Sequence, residues 1–362
     1  MAQVGLIFGG RSTEHEVSVT SARTVADGLR RSGHGVIPLG IAPDGCWVAP
    51  EQGAAALDGA VDRLDPVGTQ AMSTLHRLGD SGAEVVFPIV HGTWGEDGTL
   101  QGLCEMADLP YVGTGVTSSA VAMDKVACKQ VLSAQGIPVV DYEVVDRHGF
   151  GQDAAAAVER CRRFDLPVFV KPSVGGSSVG IRRVTAADAL HDAIEHALGF
   201  DDRVVVERSV SGRELECAVL GYGKLEASVI GEIVPGRDFY DYSDKYLTDG
   251  ARLLMPADLP DAVTARLQSA AVDAFHAIGG WGMGRVDFLL EGETPYINEI
   301  NTLPGFTAIS MYPALWEKSG LPLPGLVDRL VNIALDRHRD RQRLDQGIKA
   351  WIDELASRHG EG

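Results

Sequence analysis

Two short apolar runs late in the chain, GRVDFLL and PYINEIN, carry polar groups at alternate positions: Arg285 and Asp287 in the first, Glu299 and Asn301 in the second. A strand turns successive side chains to opposite faces, so each pair shares a face, and two such strands side by side gather four polar groups in one place. Asp287, Glu299 and Asn301 offer hard oxygen donors, which Mg²⁺ accepts while keeping positions for phosphate and water. The same alternation also describes an antiparallel strand pair with one face in solvent, and the strands alone leave that alternative open. A second candidate is Lys171-Pro172 followed by SVGGSSVG. Glycines let backbone N–H groups approach phosphate oxygens with no side chain between them. The order G-x-x-x-x-G-K-[ST] is absent, and the strand-like LPVFV and VGIRRV flank the loop, so the expectation is a hairpin flap over a nucleotide. On its own this loop is equally an ordinary flexible turn; Lys171 and the late strands give it weight. The opening FGG lacks G-x-G-x-x-G, which argues against a dinucleotide-binding enzyme.

These groups need elements to hold them. VGLIFGG at 4–10, followed by a helix-forming stretch at 17–30, reads as strand, turn, helix. AEVVFPIVHG at 83–92, with a helix expected over 99–107, repeats the unit. Such alternation implies a parallel sheet with ligand groups at the strands' carboxyl ends. Residues 42–63 read as a surface insertion. A helical stretch around 123–135 precedes the strand-like IPVVDYEVV and LPVFVKP, and from RVVVERSV onward β-rich segments such as ELECAVLGYG alternate with loops. The expected division is an N-terminal α/β unit (1–113), a central unit (114–206), a C-terminal unit carrying the late strands (207–340) and a tail (341–362), with a charged surface helix after Arg337.

The chain has 362 residues, 45% of them hydrophobic, enough for two or three cores and too polar for a membrane protein. No apolar stretch approaches the roughly 18 residues of a membrane span, and no basic region precedes the first apolar run. A cytoplasmic, membrane-free protein is the expectation. Five dispersed cysteines, never in a C-x-x-C pair, read as reduced and packed. A net charge of −18 opposes nucleic-acid binding, which draws on clustered Lys and Arg, yet leaves a nucleotide site possible, because a few lysines and a divalent cation set the local field.

Together with GGRSTEHEVS (9–18), HGTWGEDGTLQG (91–102), MDK (123–125), VKPSVGGSSVG, FYDYSDKYL (239–247), GRVDF and NEINTLPGFTAIS (298–310), the chain resembles the D-alanine:D-alanine ligase family of the ATP-grasp superfamily over about residues 3–335. The resemblance implies a three-domain α/β ATP-grasp fold with an N-terminal parallel-sheet (preATP-grasp) domain. It implies ATP as a substrate, held between the second and third domains, and two Mg²⁺ or Mn²⁺ on Asp287, Glu299 and Asn301. Lys125 and Lys171 then contact ATP phosphates, with Lys245 near the γ-phosphate. A lysine suits that task as a flexible cation, although any one of the three taken singly is as readily a solvated surface group. Glu207 starts the adenine hinge, which runs through Arg208 and Val210, and Glu214 accepts from the ribose hydroxyls. Arg208 stands where the family has lysine, which alters the contact beside the base.

By the same matching, Glu14 meets the first D-alanine's ammonium, and Ser177 and Tyr246 close a network with it across the domains. A carboxylate at Glu14 is also what a helix N-terminus favours, and both roles can coexist. His91 lies beside the first substrate; a lone histidine is otherwise more often a structural donor. Arg285 and the Gly305 N–H face the oxyanion, Ser310 holds the second carboxylate, and Met311 walls the acceptor site. The implied reaction is ATP-dependent joining of two D-alanines through a D-alanyl phosphate, releasing ADP and phosphate, for peptidoglycan precursor synthesis. The segment 235–250 reads as a lid that keeps water from the intermediate. Competing expectations are a D-alanine:D-lactate or D-alanine:D-serine ligase and a non-catalytic ATP-binding sensor. No residue stands out as the base for the second amine, and a homodimer is the one protein partner left open.

Overall fold

The computed structural model describes residues 1–65, 78–234 and 252–360. Strand β1 (Gln3–Gly9) lies between β2 (Gly35–Ile41) and β3 (Val85–Pro88), all parallel. Its run of apolar residues follows from burial on both faces. Val4, Leu6 and Phe8 pack with Val19, Ala22 and Leu29 of α1 (His15–Arg31), while Ile7 belongs to a separate cluster on the opposite side. The stretch expected as a surface insertion instead forms α2 (Pro50–Leu57), which buries Ala56 and Leu57 in the core shared with α1. Its alanines are small enough to pack closely, and proline opens the helix where its missing N–H costs nothing. Helix α3 (Thr99–Met106) follows the His91 loop.

The helical stretch expected around 123–135 is α5 (Lys125–Ala134), and a further helix, α4 (Val116–Met123), precedes it. Between them Asp124 has an extended backbone, and its side chain accepts the N–H groups of Val126 and Ala127 as the N-cap of α5. Strands β4 (Tyr142–Asp146), β5 (Val168–Pro172), β6 (Arg182–Val184) and β7 (Arg203–Arg208) form an antiparallel sheet in the order β4-β7-β5-β6. Helices α6 (Arg147–Gln152), α7 (Ala154–Cys161) and α8 (Leu190–Leu198) bring Phe150, Val158, Cys161 and Ile194 to its core. Since β5 and β6 pair antiparallel, residues 173–181 form the hairpin tip expected from the glycine-rich loop.

Strands β8 (Arg213–Tyr222), β9 (Lys224–Val234), β10 (Arg252–Leu254), β11 (Gly282–Glu291) and β12 (Thr294–Asn301) make a five-stranded sheet ordered β10-β9-β8-β11-β12. One face is filled by Leu267 and Phe275 of α9 (Asp261–Ala277), and Ala122, Cys128 and Leu132 of α4 and α5 join that same core. At its other end the sheet meets α10 (Met311–Lys318) and the first part of α11 (Leu323–Gly360), in a core continuous with that of β1 and α1. The Arg337 guanidinium lies 5.3 Å from the centre of the Tyr111 ring and 4.8 Å from that of Trp281. Beyond it α11 runs on with residues 341–354 all exposed, the charged surface helix expected from the tail. Among the described residues, no helix is long and apolar enough to cross a membrane, and all five cysteines are free, four of them buried.

Candidate active site

The two late strands bring their polar groups together. Val286 and Phe288 of β11 and Ile297 and Ile300 of β12 are buried against α9, which turns the alternate positions toward a cleft of about 1470 Å³ between the sheets. Arg285 lies opposite Asn301 and Asp287 opposite Glu299. The register then shifts, because Asn298 is an extra residue on β12, and this bulge adds Asn298 to the cleft side beside Glu299. Arg285 grips Asp287 with two bonds of 2.7 Å and also meets Glu216 of β8 at 2.9 Å. Burial opposes the charge on Arg285, but Asp287 and Glu216 outweigh it and hold the group further above its ordinary pKa. The Asn301 amide donates to Asp287 Oδ2 at 2.9 Å, which leaves the Asn301 carbonyl oxygen as its remaining acceptor. Two carboxylates and an amide oxygen facing one cleft suit a hard divalent cation, so the donor set fits Mg²⁺ or Mn²⁺.

Across the cleft, the Lys171 ammonium on β5 pairs with Glu207 Oε2 at 2.7 Å and reaches Asn298 Oδ1 at 3.4 Å. Lys125 opens α5 and donates to the Gly175 carbonyl at 2.8 Å, tying the helix to the hairpin tip. Burial lowers the Lys125 pKa, Glu299 raises it and Lys171 lowers it again. Lys129 is a further member that the sequence reading passed over. Its ammonium, one helical turn beyond Lys125, lies 3.1 Å from Glu207 Oε1, and both side chains are only 3% exposed. Spacing of i and i+4 from a motif lysine was the available signal. Burial pushes the Glu207 carboxyl up, but the two lysines prevail and hold it at about 2. Glu207 is therefore an ionised strut between two lysines at the end of β7.

Arg208, Val210 and Glu214 line the cleft next to it. The Arg208 guanidinium bonds Glu291 at 3.0 and 3.3 Å and lies 4.9 Å from the centre of the Tyr296 ring, so its plane is occupied by this chain's own groups at the hinge. Glu291 also accepts the Ser211 N–H at 3.3 Å, which braces the turn carrying Val210.

The far end of the cleft joins three segments. A methyl group on Gly92 or Gly176 would sit 3.6 or 3.8 Å from Glu14 Oε2, so Glu14, the His91 loop and the hairpin tip with Ser177 converge. Ser177 has φ of 50°, a left-handed conformation uncommon for serine, within that tip. His91 is buried: Nδ1 lies 3.0 Å from the Leu303 carbonyl and Nε2 3.1 Å from Ser21 Oγ. Since the carbonyl can only accept, Nδ1 carries the proton and the Ser21 hydroxyl donates to Nε2. Burial lowers the His91 pKa against the pull of Glu14, in keeping with a neutral ring. At Gly305 a Cβ would stand 2.8 Å from Ser310 Oγ, so the glycine is what allows the Ser310 hydroxyl to lie against this backbone; that hydroxyl accepts the Thr307 N–H at 2.9 Å. Met311 is almost fully buried and lines the cleft at the start of α10. Glu96, also passed over in the sequence, accepts the N–H groups of Gly92 at 2.7 Å and Leu303 at 3.0 Å. Lys245, Tyr246 and the expected lid at 235–250 lie outside the described residues.

Two antiparallel sheets closing on one cleft, with lysines and a glycine hairpin on one side and oxygen ligands on the other, define an ATP-grasp enzyme fold. The family models described as D-ala D-ala ligase N-terminus and D-ala D-ala ligase C-terminus match residues 3–114 and 131–332. The chain is 46% identical over 346 residues to the D-alanine–D-alanine ligase of Solibacter usitatus, covering 94% of this chain and 97% of that one. It is 45% identical over 361 residues to the ligase of the same name from Mycolicibacterium vanbaalenii, covering 92% and 97%. Among solved structures, the D-alanine-D-alanine ligase from Coxiella burnetii superposes with a TM-score of 0.82 at 36% identity, covering 97% and 99%. The VanG D-Ala:D-Ser ligase from Enterococcus faecalis gives 0.78 at 34%, covering 92% and 99%. The chain belongs to the D-alanine–D-alanine ligase family.

Proposed function

We propose that this protein joins two D-alanine molecules with ATP, through a D-alanyl phosphate, releasing ADP and phosphate. The observation that carries this reading is the opposition, across one cleft, of the Asp287, Glu299 and Asn301 oxygens and the Lys171 ammonium, with Glu14 and Gly305 at the cleft's other end. A carboxylate oxygen is a poor leaving group, so the first D-alanine is activated by attack of its carboxylate on the γ-phosphorus. Lys125 and Lys171, with Lys245 from the lid, face the phosphate oxygens as charge spreads over the transferring group. Asp287, Glu299 and Asn301 would hold two Mg²⁺ or Mn²⁺, which when bound neutralise part of that charge. Glu14 fixes the first ammonium, and Ser177 and Tyr246 close the site over it. Ser310 positions the second D-alanine by its carboxylate. Its amine then attacks the acyl carbon; Arg285 and the Gly305 N–H receive the oxyanion, and phosphate departs.

In this reading Glu207, Arg208 and Val210 form the adenine hinge and Glu214 takes the ribose. Residues 1–113, 114–206 and 207–340 are the three working domains, and the site of action is the cytoplasm, in peptidoglycan precursor synthesis. Phosphate release is measured with D-alanine, L-alanine, D-serine and D-lactate as acceptors, with products identified by mass. D-alanyl-D-alanine is the expected main product. A dominant D-alanyl-D-lactate or D-alanyl-D-serine product would reassign the acceptor, and ATP binding without turnover would make the protein a sensor. Light scattering on the same preparation tests for a homodimer.

A further inference from the structure

The peptide of Leu303 is gripped from both sides by the N-terminal unit. Glu96 Oε1 accepts its N–H at 3.0 Å, and His91 Nδ1 donates to its carbonyl at 3.0 Å. Three residues on, Ser21 Oγ, itself bonded to His91 Nε2, accepts the Phe306 N–H at 3.3 Å. These bonds bracket Pro304 and Gly305, so the direction of the Gly305 N–H is set by groups of another domain. The Phe306 ring is fully buried and packs edge-on against Phe87 of β3 at 5.9 Å, which stops the loop from sliding. Glu96 is in turn aimed by its own loop. Its Oε2 accepts the Gly92 N–H at 2.7 Å, and Gly95 must be glycine, since a Cβ there would lie 1.9 Å from the Val90 carbonyl oxygen.

We propose that Glu96 is a positioning residue for the second half-reaction, holding the Gly305 N–H in line for the oxyanion that forms when the second amine attacks. The inference rests on the proposed function, in which Gly305 serves that oxyanion. The side-chain hydrogen bonds of Glu96 go to the Gly92 and Leu303 N–H groups and to none of the lysines or β11–β12 oxygens, so glutamine in its place spares phosphoryl transfer and slows amide formation.

The half-reactions are separated by hydroxylamine, which traps acylphosphates as hydroxamates. In Glu96→Gln, D-alanine-dependent hydroxamate formation and the KM for ATP should stay within about twofold of wild type, while kcat for dipeptide falls about three- to tenfold, as for loss of one hydrogen bond to the Leu303 N–H. Ser21→Ala, which releases the Phe306 N–H on the other side of Gly305, should show the same split to a smaller degree, and it serves as the test if Glu96→Gln does not fold. Parallel losses of hydroxamate and dipeptide, or no loss of dipeptide, would overturn the positioning role. Absence of D-alanine-dependent hydroxamate in wild type would instead overturn the proposed reaction, and the role of Glu96 with it.

Discussion

Glu96 also makes the fold's stability depend on pH in a direction that can be worked out. Burial pushes its carboxyl up to about 8 from an ordinary 4.5, the N–H groups of Gly92 and Leu303 pull it down, Glu14 pushes it up and Arg285 pulls it down. Between those two values the folded protein keeps a proton that the unfolded chain gives up, so stability falls as pH rises through this window and levels off above it. A rise of that size, at about 1.4 kcal/mol for each tenfold change in proton affinity, sets a ceiling of about 5 kcal/mol. Glu96 lines the open cleft and is only partly buried, so water reduces this to about 2 kcal/mol. Glu96→Gln carries no such dependence; it keeps one acceptor and gives up the other, a loss of about 1 kcal/mol at low pH. The variant should therefore be less stable than wild type at pH 5.5 and should gain on it by about 1 to 2 kcal/mol by pH 8.5. Urea unfolding of the nucleotide-free proteins at both pH values, followed by tryptophan fluorescence, reads the difference. A gap that stays constant within about 0.5 kcal/mol would show that Glu96 titrates alike in both states, contrary to the reasoning.

Glu299→Gln should lower turnover by orders of magnitude while leaving the thermal midpoint unchanged, because a charged cation ligand is lost from a strand whose buried neighbours stay in place; ordinary Mg²⁺-dependent activity in that variant would remove Glu299 from the metal site. Lys171→Ala should raise the KM for ATP at least tenfold and slow phosphoryl transfer, since the hairpin's backbone donors remain but the cation opposite Asn298 is gone, and an unaltered KM and rate would count against the assignment. Tyr246→Phe should remove about 0.5 to 1.5 kcal/mol of lid closure and raise D-lactate use relative to D-alanine, most at low pH where the amine is protonated. Competition of the two acceptors from pH 6 to 9 checks this, and an identical product ratio throughout would free Tyr246 from acceptor choice.

What could be read from the residues was whatever a short period encodes. Alternation placed Arg285 with Asp287 and Glu299 with Asn301, and the pairing of β11 with β12 does bring the four together. The bulge at Asn298 had one sequence signal, the odd spacing of Ile297 and Ile300, which are three residues apart yet share a core where regular alternation would turn them to opposite faces. Residues 42–63 looked like loop because alanine and glycine give little amphipathic contrast; α2 exists through tertiary packing of Ala56 and Leu57, which local sequence does not display. The helix expected around 123–135 was legible because aspartate directly before Lys125 is an N-cap start signal, whereas α4 at 116–123 before it has no such cap. Lys129 and Glu96 stayed hidden for a different reason. Each works through a partner distant in sequence, Glu207 for one and Leu303 for the other; the i+4 spacing from Lys125 puts Lys129 on the same helix face but does not name its partner.

Those two residues also show how the cleft divides its labour. In the proposed reading the phosphate side has its charges on regular elements whose partners are themselves charged: Lys129 and Lys171 share Glu207 between α5, β5 and β7, and Arg285 joins Asp287 to Glu216 on adjacent strands. Charge held on secondary structure cannot reorganise as the phosphoryl group moves, which is what electrostatic stabilisation of that step requires. On the amino-acid side the same precision has to be reached with loops, because the segments bearing Glu14, His91, Ser177 and Gly305 come from separate parts of the chain. The fold meets this with cross-domain bonds to main chain: Glu96 and His91 on Leu303, Ser21 on Phe306. A loop tied through its backbone is held whatever side chain it bears, so Pro304 and Gly305 can be selected for the shape of the acceptor site alone. Altering the ties should then change the rate of amide formation before it changes which nucleotide or metal the protein accepts.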